Sequence, residues 1–360
     1  MKRLNEKEVI NLFILNLRKT IRTKTSDYIH IPYCKATRIG KDDVSIISSN
    51  KRLKRGVKLV FKCDMLVETT DVPSVMKPWQ IARKSIVACV SDFSAKGIKP
   101  FYVSLISIGI PARYSKNDIL GLAKGFKMSS REFGVMFVGG DTNQSNELVI
   151  DCSMIGFSDN GQIPSRNGAA PGDFIVVSGE FGYSAAGLKI INEGAKATEN
   201  FKDRAISSVV KPKPQQKFGT CLAKYFSSSI DSSDGLAVSL YELAAQSKVN
   251  FFITNIPSAK GIERFTRDNS SLDSHELIFH GGEEYHIVAT VPSQNMKRLE
   301  SAAEKLRLKT LVIGSVTKGN GKVFLAKSEN MKKRLSLLDN RGYLHLVNKK
   351  RKRKIQSCQS

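Results

Sequence analysis

The feature that most constrains this chain is a series of acidic residues set at the ends of, or just after, short apolar runs. They stand in Lys41-Asp42-Asp43, Cys63-Asp64, Ser91-Asp92, Gly139-Gly140-Asp141-Thr142, Asp231-Ser232-Ser233-Asp234-Gly235 and Gly281-Gly282-Glu283-Glu284. Carboxylates are rarely buried without partners. A fold that gathers several of them needs divalent cations, a basic ligand or raised pKa values. Oxygen-rich clusters suit magnesium, which is usually held by carboxylates together with substrate phosphates. The first expectation is therefore phosphoryl chemistry.

The 360 residues are enough for one large or two ordinary domains, and an apolar content of 41% supplies real cores. No run of eighteen apolar residues marks a membrane span. The start of the chain lacks a secretory cleavage pattern, so a cytoplasmic setting is expected. Cys34, Cys63, Cys89, Cys152, Cys221 and Cys358 form no CxxC pair and no zinc spacing. They are expected to be reduced thiols in or near the core. The net charge is +24, from 57 basic and 33 acidic residues. Such an excess fits nucleic acid, acidic substrates or plain surface chemistry. Six of the charges lie in Lys349-Lys350-Arg351-Lys352-Arg353-Lys354. That block reads as a solvated tail, with a weak nucleic-acid or partner contact as the alternative. No zinc-finger pattern or basic–aromatic repeat marks a dedicated nucleic-acid module.

Periodicity predicts helices over Glu6–Lys19, Trp79–Phe93, Ser115–Phe133, Ser184–Ile191, Phe218–Phe226, Leu236–Ser247 and Asn295–Leu306. It predicts strands over Val57–Cys63, Tyr102–Ile108, Val135–Val138, Leu148–Phe157, Phe174–Ser178, Val249–Ile253, Glu284–Val291 and Thr310–Ile313, with Val323–Leu325 as a last edge strand. Residues 20–41 read as irregular and 196–217 as loop with short helices. The first domain is then a mixed sheet covered on one side by helices. The domains are expected at 1–163 and 164–346, followed by a tail at 347–360.

Each acid also has a plain reading. Asp42-Asp43 and Asp64 by themselves are turn, cap or strand-end residues. Asp92 lies on an otherwise apolar helix face and is harder to dismiss. In Gly139-Gly140-Asp141, two glycines permit close approach of backbone to a ligand. Asp141 then stands at a strand terminus, where α/β proteins usually place chemistry; a tight turn is the alternative. Asp231–Gly235 sets two carboxylates three residues apart before a helix, whose amides can meet phosphate oxygens. A cap by Ser232, Ser233 or Asp234 is the alternative there. Glu283, after two glycines, suits a substrate amine or ring nitrogen. Arg166, in a glycine-containing loop, is a phosphate fork or a surface charge. There is no GxxxxGK[ST] loop, no HRD or DFG signature, no HExxH and no GxSxG. Nucleotide use must then rest on a carboxylate–magnesium site. His30, His275, His280, His286 and His345 pair with no acid at a convincing spacing and read as surface or packing residues.

Taken in order, Gly40–Ile46, Cys63–Glu68, Ala82–Gly97, Gly139–Thr142, Arg166–Asp173, Gly179–Leu188, Asp231–Leu236, Gly281–Tyr285 and Ile313–Gly319 resemble the thiamine-monophosphate kinases. These belong to the AIR-synthetase-like (PurM-like) superfamily of ATP-binding enzymes. The resemblance spans roughly residues 1–346, and its specificity lies in the order and spacing of the motifs. It implies a two-domain α/β fold and a homodimer whose N-terminal sheets pack together. It implies ATP and several Mg2+ ions, with thiamine monophosphate phosphorylated to thiamine diphosphate. Carried over by position, Asp42, Asp64, Asp92, Asp141, Asp231 and Asp234 are similar to magnesium ligands. Gly140, Arg166 and Ser233 correspond to ATP contacts, and Asp71, Glu283 and Tyr343 to substrate contacts. No side-chain base or covalent nucleophile is implied, because the attacking phosphate is already ionised. Three departures stand out. Lys41 replaces a usual glycine, Cys63 a usual threonine that could offer a metal a hydroxyl, and Asp71 a frequent histidine.

Rivals within the superfamily are AIR synthetase, selenophosphate synthetase and the hydrogenase-maturation dehydratase. Cys34 lacks the context of a selenium-handling cysteine, and the sequence around Cys358 does not match the maturation protein's tail. Asp231–Leu236 and Tyr343–His345 favour the thiamine reading over AIR synthetase. A non-catalytic nucleic-acid or scaffold protein is the alternative from another class.

Overall fold

The computed structural model describes residues 28–31, 34–37, 44–49, 57–159, 161, 163–329 and 332–343. The helix expected over Glu6–Lys19, the Lys41-Asp42-Asp43 motif, His345, Cys358 and the basic tail lie outside the described residues.

The first half contains β1 (Tyr28–Ile31), β2 (Cys34–Thr37), β3 (Ser45–Ser49) and β4 (Val57–Val67). A single helical turn, Glu68–Asp71, leads to α1 (Pro78–Ala95), β5 (Tyr102–Pro111), α2 (Lys116–Phe133), β6 (Val135–Ser145) and β7 (Val149–Asp159). The strands form one sheet in the order β1-β2-β3-β4-β7-β5-β6. β5 and β6 are parallel, joined by the α2 crossover; the other neighbours are antiparallel.

Proline at its first position and the Gln80 side chain accepting from the Lys77 amide (2.8 Å) start α1. Gly97, with φ of 68°, follows its end, as the Lys96-Gly97 signal predicts. Ile86, Val87, Val90 and Phe93 are fully buried, each contributing roughly 1.5–3 kcal/mol. The helix is buried nearly all round, Arg83, Lys84, Ser91 and Asp92 included, because it lies between two sheets. Its inner face packs on β4 and β7, and its C-terminal end enters the second core, where Ala95 joins Val176, Phe218 and Ile287. A Cβ at Gly219 would lie 1.7 Å from the Ser94 carbonyl oxygen, so only glycine permits this approach.

The second half adds β8 (Phe174–Val177), α3 (Tyr183–Glu193), α4 (Glu199–Val210), α5 (Gln216–Leu222), β9 (Ser228–Ser232), α6 (Leu236–Ser247), β10 (Val249–Ile253) and α7 (Ile262–Asp268). After a π turn at Glu276–His280 come β11 (His286–Val291), α8 (Ser293–Lys305), β12 (Leu311–Lys318), β13 (Val323–Glu329) and β14 (Lys332–Leu337). Their order is β14-β13-β10-β12-β8-β11-β9, with only β10 and β13 parallel among the paired neighbours described.

Several expectations need correction. Residues 20–41 include the paired strands β1 and β2, whose order comes from ladder partners rather than from an apolar pattern. β4 continues through Asp64 to Val67, because β7 pairs with it along its whole length. β6 runs through Gly139-Gly140-Asp141 to Ser145, so the glycines mark a close strand approach and not a turn. A Cβ at Gly140 would lie 1.8 Å from the Ile106 carbonyl oxygen. Asp231 and Ser232 likewise end a strand before the turn begins. The 196–217 segment holds a three-turn helix that buries Phe201, Ala205 and Val209. β13 is internal, because the basic Lys332-Lys333-Arg334 opens a further, charged edge strand. Cys89 and Cys152 are buried as expected, whereas Cys63 is exposed.

One face of the first sheet is covered by α1 and α2. The other carries exposed apolar side chains: Met65 (63%), Leu105 (50%), Met136 (49%) and Val138 (56%). Among the described residues, no helix is long and apolar enough to cross a membrane.

Candidate active site

Strand alternation builds the first wall of the site. On β4, Val60, Lys62, Asp64 and Leu66 share the helix-covered face, while Cys63 and Met65 share the open face. Lys62 Nζ lies 3.2 Å from Asp64 Oδ1 and 2.7 Å from Asp92 Oδ2 on α1. Burial alone would lower the Lys62 pKa; Asp92 and Asp64 outweigh it and hold the ammonium well above its usual value. One residue before Asp92, Ser91 Oγ donates to Asp231 Oδ2 at 2.7 Å, tying α1 to the end of β9. Asp92 and Asp231 are both buried.

The second wall is the paired segment 231–234 and 282–285. The Ser233 carbonyl accepts from the Glu283 amide (2.6 Å) and the Ser232 carbonyl from the Tyr285 amide (2.9 Å). Glu283 and Tyr285 adopt left-handed φ values of 63° and 52°, each costing about 1–3 kcal/mol. Such strain persists where surroundings fix it, and here they do. Buried Lys84 of α1 places Nζ 2.5 Å from Glu283 Oε1 and 2.6 Å from the Asp71 carbonyl. Glu284 turns the other way and accepts the Gly182 and Ser184 amides at 2.7 and 2.9 Å, at the start of α3. Burial pushes its carboxyl up to about 7, against the pull of those amides. Tyr343 crosses the seam: its amide donates to the Asp234 carbonyl (2.9 Å) and its hydroxyl to the Thr70 carbonyl (3.4 Å).

The two tyrosines report which acids converge. The buried phenol of Tyr285 is pushed well up by burial first, then by Glu283, Asp231, Asp64 and Asp71. That of Tyr343 is raised by burial and then by Asp71, Glu283 and Asp234. Asp64, Asp92, Asp231, Asp234, Glu283, Asp71 and Tyr343 thus line one seam between the two sheets. No three His, Cys, Asp or Glu side chains among the described residues are arranged as a ready-made metal cage.

Other expected residues stand apart. Asp42 lies outside the described residues. Asp141 is exposed on β6, in register with Ser107 of the open face. Arg166 follows Ser165, which bridges Ser228 at the start of β9. Its backbone is therefore roughly 13 Å along that strand from Ser232. The Asp71 carboxylate accepts the Val67 amide at 2.7 Å and so holds the helical turn as well as facing the seam. Cys63 Sγ donates to Asp151 Oδ2 at 3.0 Å on the open face. A hydroxyl at position 63 would stand on that open face, on the other side of the strand from Asp64. Sequence reading passed over Lys62, Lys84, Ser91 and Tyr285. Lys62 precedes Asp64 by one strand period and Ser91 follows Lys84 by two helical turns, spacings that put each pair on one face without showing what that face meets; Tyr285 carries no such signal.

Both halves of this two-sheet chain match the AIR synthase related proteins. The N-terminal domain of that family matches residues 41–158 and its C-terminal domain residues 170–327. The thiamine-monophosphate kinase of Nitrosopumilus maritimus (strain SCM1) is 37% identical over 345 residues, covering 96% of this chain and 99% of that protein. The thiamine-monophosphate kinase of Pyrococcus horikoshii is 31% identical over 290 residues, covering 80% and 86%. A solved structure described as AaThiL complexed with AMPPCP and TMP superposes with a TM-score of 0.75 at 25% identity, over 96% of this chain and 99% of that one. The chain belongs to the thiamine-monophosphate kinase family of AIR synthase related proteins. The hydrogenase-maturation protein HypE of E. coli shares the fold, with a TM-score of 0.65 at 17% identity.

Proposed function

We propose that this protein transfers the γ-phosphoryl group of ATP to thiamine monophosphate, giving ADP and thiamine diphosphate. The observation that carries this reading is the likeness to thiamine-monophosphate kinases over nearly the whole chain, joined to an acidic seam between the sheets. A terminal phosphate oxygen of thiamine monophosphate attacks the γ-phosphorus in line. The bond from that phosphorus to the β,γ-bridging oxygen breaks, and ADP leaves. The nucleophile is already ionised, so the chain's task is positioning and charge balance.

The donor set fits magnesium: Asp64 and Asp92 face one another across a single cation, and Asp231 is tied beside Asp92 through Ser91. Asp64, Asp92 and Asp231, with Asp42, Asp141 and Asp234, would hold the ions. Bound there, magnesium would neutralise the phosphates that must approach one another. Lys84 orients Glu283 toward the substrate's amine or ring nitrogen. The Tyr343 ring, 42% exposed, offers a face to the heterocycle. Gly140, Ser233 and Arg166 are assigned to ATP and Asp71 to the substrate. We propose domains of 1–163 and 164–346, followed by a tail at 347–360. Free thiols at Cys63, Cys89, Cys152 and Cys221 suit a cytoplasmic setting.

We also assign the open face of the first sheet to a second copy of the chain. Met65, Leu105, Met136 and Val138 form the kind of uncovered apolar surface that a two-fold dimer buries.

The deciding assay is thiamine diphosphate formation by purified protein with ATP and Mg2+, with a chelator control. No turnover of thiamine monophosphate rejects the assignment. An Asp141→Asn variant tests the acid that stands on the open face, apart from the seam group. A tenfold or larger loss, the scale of disturbed metal sites, is expected; full activity removes Asp141 from the metal set.

A further inference from the structure

The Asp64–Asp92 pair already holds a cation, and that cation is part of the chain. Lys62 is only 19% exposed at its side chain, and its nitrogen is 3.2 and 2.7 Å from the two carboxylates. The two oxygens it bridges are therefore at most about 6 Å apart, close enough for strong mutual repulsion in the seam. Strand alternation fixes the arrangement: Lys62 and Asp64 share a face of β4, and that face packs on α1, where Asp92 sits. The lysine stem is held between strand and helix, so the ammonium has little freedom to leave on its own.

Magnesium binds carboxylate oxygens at about 2.0–2.1 Å and prefers octahedral surroundings. An ion at that distance from Asp64 and Asp92 would occupy the space the ammonium now fills, and the two cations would repel one another. We propose that Lys62 is a tethered counter-ion that holds Asp64 and Asp92 in the substrate-free chain and competes with divalent ions for them. This rests on the reading above that these two acids hold the metal. Loading a divalent ion then requires breaking two ion pairs. The ion does so most readily when the anionic substrates arrive with it and give the displaced ammonium a new partner. Lys62 is in this sense a positioning residue that links metal loading to substrate loading.

The test is a Mn2+ titration of the full-length, substrate-free protein, with free Mn2+ read by electron paramagnetic resonance. Four proteins are compared: wild type, Lys62→Met, Lys62→Arg and Asp92→Asn. Lys62→Met keeps the length of the stem and removes the charge. It is expected to bind Mn2+ at least tenfold more tightly than wild type, whereas Lys62→Arg stays within about threefold of wild type. In chelator, Lys62→Met should melt below wild type, and added Mn2+ should close that gap. Lys62→Thr serves as a second uncharged variant if the methionine protein does not fold. Unchanged or weaker Mn2+ binding in the uncharged variants overturns the tethered-cation role. Asp92→Asn separates the two layers: weaker binding than wild type supports the metal reading. Binding equal to wild type means that the acid pair does not hold the ion, and both readings fall together.

Discussion

On β4, Lys62 and Asp64 face α1 and the second domain's acids, while Cys63 and Met65, each one residue away, face outward on an open sheet. The two faces answer different physical demands. In the seam, every charge described has a partner: Lys62 with Asp64 and Asp92, Lys84 with Glu283, and Asp231 with Ser91. Burying a charge is tolerable only on those terms. On the open face, large apolar side chains remain exposed and the polar contacts are short and local, such as Cys63 to Asp151. One strand thus serves two tasks through a two-residue period, and adjacent positions cannot be assigned to one role.

The largest effect should come from placing charge on the open face. Leu105→Glu combined with Val138→Glu would bury uncompensated carboxylates between two copies, at a cost of about 3–5 kcal/mol. Light scattering coupled to size exclusion should show a monomer where wild type is a dimer. A wild-type monomer would leave this face without its assigned partner and break the comparison.

A smaller effect sharpens the seam side. The Glu284 carboxyl is held up at about 7 by burial, above its ordinary 4.5. The folded chain therefore binds the extra proton between those values. Its contribution to stability is complete below about 4.5 and is lost as pH rises through about 7, a change on the order of 3 kcal/mol. The His286 ring, enclosed against Phe181, is pushed down to about 4 by burial, from 6.5. Its linkage has the opposite sign, because the unfolded chain binds the proton there and stability rises with pH between 4 and 6.5. The two slopes oppose each other in wild type. Glu284→Gln should leave the histidine slope alone, so its melting temperature should climb from pH 4.5 to 6.5 more steeply than that of wild type. Parallel pH curves would show that Glu284 is ionised throughout.

The smallest effect tests whether the faces are separate. Cys63→Ser restores a hydroxyl beside Asp64, but on the outward face. Stability should change by no more than about 0.5 kcal/mol, and the rate of thiamine diphosphate formation should stay within roughly twofold. A large gain in rate would mean that position 63 reaches a metal after all, through a neighbouring copy or a rearranged strand.

Much of the fold was legible in the sequence. α1, α2 and α6 were expected within a few residues, because Pro78, the Ser115–Asp118 capping pair and Gly235 punctuate strong apolar periods. The strands that were shortened or missed share a cause. β4 and β6 carry Asp64 and Gly139-Gly140 in their interiors, residues that end strands by propensity but are retained here by a paired neighbour. β14 begins with three basic residues and takes its order from pairing with β13. The acidic motifs were visible one at a time, while their lysine partners were not. Lys62 and Lys84 look like surface residues until the chain is folded.

What the sequence determined by itself is the punctuated helices, the strongly apolar strands and the ordered acids, since periodicity, caps and motif spacing are properties of neighbours along the chain. The tertiary structure alone decided the pairing. It brought Lys62 between Asp64 and Asp92, Lys84 onto Glu283, and Ser91 onto Asp231 across 140 residues. It also left Asp141 on the opposite face from that group. The reason is physical: a carboxylate's role depends on the charges within a few ångströms of it, and those neighbours are set by how α1 is clasped between two sheets.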